Sequence, residues 1–486
     1  MSLTKDSEST VTMADDETTP EAEDPQILAG RAEGFRASKR YGQAGAFSDP
    51  QALTGHGEGL RALKRYGQAI AAFSDSLSLR ADDAPTLNAR GVTLALVGRL
   101  DDALADFDRS LELTPEQPDA LNDRGVALRQ AGRPDEALAD FDKALKLRPN
   151  DPRALHNKGT ALHAQGRFQD ALTVFTLSLE LRPDHPRTLN ARGATLLALD
   201  RIEEALADFD ASLRGRLDGA HTLRNRAACL ERLGRYEPAL ADLNRAVRMA
   251  APDHTTFGSR GVVLARLGRY DQALADFDRA LSLVEDDPAT LNNRGVVRAK
   301  LDRHADAISD FDRSLALAAD DPDVLVNRAT SSEKSGGLEG ALADVTRALD
   351  LRPDDAGALA RRGIVLAKCD RLEDALLDFD KSLKLQPDQP DTLQDRGIIQ
   401  GRLGRHEEAL SDFERALELR PDVAGPMYNR ACVLSLTGRI EEALEEIRRV
   451  VGMDRQYADM AAEDADFDNV RQDAELGPRF TEIVGR

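Results

Sequence analysis

Apolar and small residues recur along this chain with a period of 34 residues from Pro50 to Tyr457, and the span divides into twelve repeats without insertion. When each repeat is numbered from its first residue, positions 4, 8 and 11 are apolar or small, as at Leu121, Gly125 and Leu128 in repeat 3. Offsets of four and three residues place these side chains on one face of a helix. The pattern therefore predicts an amphipathic first helix in every repeat.

A second helix is predicted in each repeat from the same kind of spacing. In repeat 3 it carries Ala137 and Phe141, and a Gly-Arg-Pro turn at 132–134 separates it from the first helix. Glycine can take the left-handed conformation that ends many helices. Asp151 and Pro152 then supply an N-cap carboxylate and a first-turn proline for the next helix. Each repeat is thus predicted to be a helical hairpin.

These residues resemble the tetratricopeptide repeat family, whose pattern is a large apolar residue, a small one, Ala, an aromatic, Ala and Pro over 34 residues. The family's aromatic positions are mostly Leu here, as at Leu87 and Leu94, which is similar to bacterial multi-repeat members. The resemblance implies an all-α fold, a right-handed superhelical α-solenoid of stacked helix-turn-helix units. It also implies a concave groove, lined by the first helices, that serves as the ligand surface.

Three segments lie outside the repeats at 50–457. Residues 1–24 are acidic and lack apolar periodicity, which predicts a disordered tail. Residues 25–49 contain a motif that nearly matches the one beginning at Lys64, and we interpret them as a degenerate partial repeat. Residues 458–486 combine apolar residues such as Phe467 with many acids, which predicts a C-terminal capping helix and an acidic tail.

Position 7 is cationic in eleven consecutive repeats, while Asp recurs at position 23 in the second helix. This row could be a cationic track for a ligand or a ladder of structural ion pairs between helices, and we favour the ladder. Each exposed pair of that kind contributes less than about 1 kcal/mol. The cations are Arg90, Arg124, Lys158, Arg192, Arg226, Arg260, Arg294, Arg328, Arg362, Arg396 and Arg430.

Asparagines recur at position 6, on the helix face opposite the packed one. An amide offers both a donor and an acceptor, which match a peptide group whatever its side chain. Some family members hold the backbone of an extended peptide in this way, and the resemblance implies the same role here. Plain solvated asparagines are the alternative, since Ala89 and Arg361 interrupt the series. The candidates are Asn157, Asn225, Asn293, Asn327 and Asn429.

A row of six cations at position 13 is the second candidate feature of the groove. In an acidic chain, this row would favour an acidic segment and speed its encounter with the groove. Two alternatives are that the cations only complement helix C-termini, or that the acidic residues 1–24 occupy them. The row consists of Arg232, Arg266, Lys300, Lys334, Lys368 and Arg402.

Composition narrows the function classes. The net charge of −21 opposes a general nucleic-acid binder, whose affinity depends on neutralising phosphates. Cys229, Cys369 and Cys432 lack metal-ligand spacing and fit a reduced cytoplasmic protein. We expect no signal peptide and no membrane span.

No catalytic constellation stands out in the sequence. Ser331 and Lys334 match an S-x-x-K pattern without its accompanying motifs, and His156 and His163 are about 10 Å apart along a helix, too far to share a metal directly. We therefore expect no catalytic residues, no metal and no cofactor.

The sequence thus predicts a non-catalytic scaffold or adaptor that binds an extended, acidic protein segment in its groove. An RNA-binding solenoid and a regulatory subunit of an enzyme complex are the alternatives. The partner's identity and the oligomeric state are not specified by the sequence.

Overall fold

The computed structural model describes residues 49–215, 219–249 and 253–485. Within them each of the twelve repeats forms two helices. The first helices are Pro50–Ala62, Ala84–Leu96, Pro118–Gln130, Pro152–Ala164, Pro186–Ala198, Ala220–Arg232, His254–Arg266, Pro288–Lys300, Pro322–Lys334, Ala356–Lys368, Pro390–Arg402 and Ala424–Leu436. The second helices are Tyr66–Leu79, Leu100–Leu113, Pro134–Leu147, Phe168–Leu181, Ile202–Arg214, Tyr236–Met249, Tyr270–Leu283, His304–Leu317, Leu338–Leu351, Leu372–Leu385, His406–Leu419 and Ile440–Met453.

Local chemistry sets where the helices begin and end. The carboxylate of Asp151 accepts hydrogen bonds from the backbone N–H groups of Arg153 and Ala154, and Pro152 opens the helix. Between the two helices of repeat 3, Gly132 has φ +74°. Asp302 takes the same left-handed conformation at the equivalent turn of repeat 8, so this turn keeps its geometry where the glycine is replaced.

The core of most hairpins is a glycine packed against an aromatic ring, and repeats 6, 9 and 12 have Ala and an aliphatic residue at these two positions. A Cβ atom added at Gly125 would lie 2.6 Å from Phe141, a distance that no real Cβ contact allows. The Phe141 ring is fully buried. The same pairing joins Gly159 to Phe175 and Gly363 to Phe379. Glycine at position 8 therefore lets the two helices of a repeat approach closely, and an all-α solenoid of stacked hairpins is confirmed.

The described residues form two compact bodies that divide after Leu267, in the turn of repeat 7. The N-terminal body contains repeats 1–6 and the first helix of repeat 7. The C-terminal body contains the second helix of repeat 7, repeats 8–12 and the segment that follows them.

Short helices follow the last repeat and cover its apolar face. They are Gln456–Glu463, the 3₁₀ turn Ala465–Phe467, Asp468–Gln472 and Gly477–Val484. Phe467, Val470 and Phe480 are buried in one cluster with residues of repeats 11 and 12, and the two phenylalanine rings stack at 5.7 Å. The segments at 1–24 and 25–49 lie outside the described residues except for Asp49.

Candidate peptide-binding surface on the first helices

The cations at position 7 form ion pairs between the helices, which confirms the structural interpretation of that row. Arg124 donates from Nε and Nη2 to the carboxylate of Asp140, at 2.7 and 2.8 Å. Its Nη1 donates to Asp108 of the preceding repeat at 2.6 Å. These hydrogen bonds raise the pKa of Arg124, with Asp140 the main cause. Bidentate contacts of this kind fix the register of neighbouring helices.

The same fork recurs along the stack. The bidentate pairs are Arg90–Asp106, Arg192–Asp208, Arg226–Asp242, Arg294–Asp310, Arg328–Asp344, Arg362–Asp378 and Arg396–Asp412. Repeat 4 is an exception: Lys158 contacts Asp142 of repeat 3 at 2.7 Å, and position 23 is Val174.

The asparagines at position 6 lie where the first helices of adjacent repeats meet. The side-chain amide of Asn157 donates to Asn122 Oδ1 at 3.0 Å, and that of Asn327 donates to Asn292 Oδ1 at 3.1 Å. Each bond joins position 6 of one repeat to position 5 of the repeat before it. These amides therefore connect repeats, in addition to the peptide contact predicted for them.

Exposure divides the five asparagines. Asn225, Asn293 and Asn327 are buried, whereas Asn157 and Asn429 keep part of their surface exposed. The Nδ2 atom of Asn225 is buried without a hydrogen-bond partner among the described residues. An unpaired buried donor is costly, and with almost no exposed surface this amide group is not accessible to a ligand in the described conformation.

Four of the six cations at position 13 pair with acids of the preceding repeat. Arg232 contacts Asp200 at 3.2 Å, Arg402 contacts Asp370 at 2.8 Å, and Arg266 contacts Glu231 at 3.5 Å. Lys368 contacts Glu333. All of these cations are exposed on the surface.

Lys300 and Lys334 differ from the other members of the row. Both are exposed, and no acidic group of the described residues lies within ion-pair distance of either one. They occupy the same position in consecutive repeats of the C-terminal body. They are therefore the members of the row whose charge is least compensated within the chain.

A buried carboxylate lies next to Lys334. The side chain of Glu333 is 1% exposed and contacts both Lys368 and Arg361, the latter at 3.5 Å. Two cations of repeat 10 thus share one acid of repeat 9. In repeat 11, burial and the nearby Asp391 raise the pKa of Asp395 to about 6, which Arg361 opposes.

The histidines of repeat 4 make separate contacts. His163 Nδ1 lies 2.9 Å from Thr195 Oγ1, and burial lowers the pKa of His163 to about 4. His156 Nδ1 lies 3.1 Å from the hydroxyl of Thr188. Each ring thus joins repeat 4 to repeat 5 through a different threonine.

One group of side chains has the composition of a metal site. The ligand atoms of Cys432, Asp464 and Asp466 all lie within 4.8 Å of one another. Asp464 already accepts hydrogen bonds from the hydroxyl of Tyr428, at 2.8 Å, and from the thiol of Cys432. Burial raises the pKa of the Cys432 thiol. The cluster is accounted for as an internal hydrogen-bond network.

Sequence reasoning missed a basic pocket at the junction of repeats 4 and 5. Its volume is about 90 Å³, and its lining includes Arg153, Arg182 and Arg187. The signal was present in the sequence, because position 2 is Asp in repeats 3, 9 and 11 but Arg in repeats 4 and 5. Recurring residues reveal the repeats, whereas this pocket depends on a position that changes between repeats.

The helices of the described residues are too short or too polar to cross a bilayer.

Comparison with known proteins agrees with this architecture. Three family models, each described as tetratricopeptide repeat, match this chain. The first matches residues 52–120, 88–152, 122–186, 190–254, 259–322 and 326–390. The second matches residues 390–423, and the third matches residues 424–457. No significant match was found among curated proteins.

Comparison with solved structures found several similar chains. The Cut9–Hcn1 hetero-tetramer of the APC/C has a TM-score of 0.51 at 13% identity, covering 90% of this chain and 93% of that chain. Yeast Tom70 has a TM-score of 0.39 at 17% identity, covering 92% and 100%. A tetratricopeptide repeat protein from Parabacteroides merdae has a TM-score of 0.41 at 19% identity, covering 51% and 98%.

The family models, which match most of the residues from 52 to 457, show that this chain belongs to the tetratricopeptide repeat family.

Proposed function

We propose that this protein is a non-catalytic scaffold that binds an extended, acidic protein segment along its first helices. Tetratricopeptide repeats generally mediate protein–protein interaction. The observation that carries the proposal for this chain is the pair Lys300 and Lys334, which are exposed and have no acidic partner among the described residues. Two uncompensated cations at the same position of consecutive repeats, on an otherwise acidic protein, attract an acidic ligand and repel a basic one.

The surroundings of Lys334 support the same ligand. Arg361 and Lys368 share the single buried carboxylate of Glu333, so repeats 9 and 10 have an excess of positive charge at this point. An acidic side chain of a partner would add the missing counter-charge. Position-6 amides such as Asn429, which is partly exposed, would then contact the backbone of the bound segment.

The test is a pull-down from a native lysate by the full chain, quantified by mass spectrometry. Lys300→Glu/Lys334→Glu should lose partners that the wild type retains, because the reversed charges repel an acidic segment. Lys381→Glu/Lys384→Glu is the matched control: it makes the same change in net charge on an exposed part of the second helix of repeat 10. Equal retention by all three proteins would exclude the proposed surface.

Ribonuclease treatment of the lysate separates protein binding from RNA binding. Partners that are lost after treatment, together with loss of captured RNA in the lysine variant, would favour an RNA-binding solenoid. Circular dichroism of both variants should match the wild type, because all four lysines are exposed.

A further inference from the structure

The ion pairs between neighbouring repeats change at the junction of repeats 4 and 5. In five repeats, Nη1 of the position-7 arginine donates to the aspartate at position 25 of the preceding repeat, as Arg124 does to Asp108 at 2.6 Å. Arg192 of repeat 5 keeps its fork to Asp208, but position 25 of repeat 4 is Thr176. The Nη1 atom of Arg192 therefore has no acceptor among the described residues.

The next position of repeat 4 differs as well. Position 26 is Arg or Lys in most other repeats, and in repeat 2 Arg109 pairs there with Glu112 at position 29, at 2.9 Å. The same pair recurs in repeat 11. Repeat 4 has Leu177 and Glu180 at these positions. It thus keeps the acid without the cation, and Glu180 is exposed with no ion-pair partner in the described part of the chain.

A groove of about 660 Å³ lies beside these replaced positions. It runs between the second helices Phe168–Leu181 and Ile202–Arg214. Leu172, Leu177 and Leu196 supply its apolar lining. Leu172 and Leu196 are buried, whereas Leu177 is 44% exposed. A ligand in this groove would therefore cover apolar surface that the chain leaves in water.

The charges that line the groove leave one acid over. Arg192 is paired with Asp208 and Arg201 with Glu204, each at 2.7 Å. Glu180 is the remaining charged residue of the lining. The groove thus carries one uncompensated negative charge, one turn of helix from the exposed Leu177, and a free guanidinium N–H on Arg192.

We propose that this groove docks a basic segment of a partner protein, in which an arginine takes the place of the missing position-26 cation. Its guanidinium group pairs with Glu180, and its methylene groups pack on Leu177. A backbone carbonyl of the same segment accepts from Nη1 of Arg192. The net charge of −21 favours the approach of a basic segment.

Selection of random linear peptides by the full chain, followed by fluorescence anisotropy of the selected peptides, tests the groove. Leu177→Arg supplies the missing cation from within the chain, as in repeats 2 and 11. Peptides that bind the wild type should include a class that binds Leu177→Arg about tenfold more weakly, because the new side chain occupies the groove and pairs with Glu180. Each peptide of this class should contain an arginine beside an apolar residue.

Glu180→Gln separates the ion pair from the shape of the groove. It should weaken binding of the same peptides about fivefold. Glu418→Gln makes the same change at position 29 of repeat 11, where the acid is paired with Arg415, and is the matched control. It should leave binding unchanged. Replacing the arginine of the peptide with neutral citrulline should weaken binding to the wild type but not to Glu180→Gln, because the two groups form one pair.

Three results would overturn the proposal. They are the absence of any peptide that depends on Leu177, a Leu177-dependent class without arginine or insensitive to citrulline, and equal weakening by Glu180→Gln and Glu418→Gln. Melting temperatures close to that of the wild type check that the variants are folded. The groove lies in the N-terminal body, whereas Lys300 and Lys334 lie in the C-terminal body. Failure of either proposal therefore leaves the other standing.

Discussion

Repeats 4 and 9 have the same pair of helices and differ in how their charges are compensated. In repeat 9, Arg328 contacts Asp344 at 2.6 Å and Arg352 contacts Asp323 at 3.1 Å, so two arginines have an acid within their own repeat. In repeat 4 the corresponding acids are replaced by Val174 and Arg153.

The difference shows which positions the fold constrains. Both repeats keep the apolar core: Ala171 and Phe175 in repeat 4 and Ala341 and Val345 in repeat 9 are fully buried. The charged positions can therefore diverge without loss of the hairpin.

The largest effect is expected at position 12, where repeat 4 partly buries His163. Since burial holds the folded pKa near 4, below the ordinary 6.5, the ring is neutral when folded and takes up a proton on unfolding. Stability is therefore lost as the pH falls from 6.5 towards 4. Between pH 7 and pH 4 this group should lower the free energy of unfolding by about 3 kcal/mol.

Urea unfolding of the wild type and of His163→Gln at a series of pH values measures that loss. As the pH falls from neutral towards 4, the wild type should lose more free energy of unfolding than His163→Gln, because only the wild type carries the imidazole. Parallel profiles over this range would show that His163 is not buried as described.

The second effect compares the position-7 cations of the two repeats. Arg328→Ala should lower the free energy of unfolding by about 2 kcal/mol, because it leaves the carboxylate of Asp344 largely buried without its partner. Lys158→Ala should cost less than about 1 kcal/mol, because its partner Asp142 is half exposed. If denaturant titrations gave equal losses in the free energy of unfolding for the two variants, the distinction between a buried and an exposed ion pair would be contradicted.

The third effect concerns partner binding at position 13. Lys334→Glu in repeat 9 should reduce partner retention about tenfold, which corresponds to about 1.4 kcal/mol. Ala164 is the exposed residue at position 13 of repeat 4. Ala164→Glu introduces the same side chain there and should leave retention of that partner unchanged. Loss with both variants would mean that binding responds to net charge rather than to the C-terminal body.

The smallest effect is expected at position 2. Asp323→Arg gives repeat 9 the cation that repeat 4 has at position 2, and Asp323→Asn removes only the negative charge. Both partners in the pair of Asp323 and Arg352 are nearly half exposed, so each variant should lower the free energy of unfolding by less than about 1 kcal/mol. A larger loss in thermal unfolding would assign this pair a larger role in stabilising the fold.

The sequence by itself determined the fold. The helices begin and end as the apolar period, the Asp–Pro caps and the left-handed turns require, because these signals act within a few residues. The close approach of the two helices at Gly125 was predicted on the same basis, since position 8 is Gly or Ala in every repeat. The ion-pair role of Arg124 also followed from recurrence, because a contact needed in every repeat is a structural one.

Only the tertiary structure decided which polar groups remain available. Asn157 bonds to Asn122, which is 35 residues earlier in the chain, and Lys368 contacts Glu333 at the same separation. Such contacts form between adjacent repeats, so neither the exposure nor the partner of a side chain can be read from its own repeat. The pocket of Arg153, Arg182 and Arg187 depends on the same stacking, which brings position 2 of repeat 5 beside the loop that ends repeat 4.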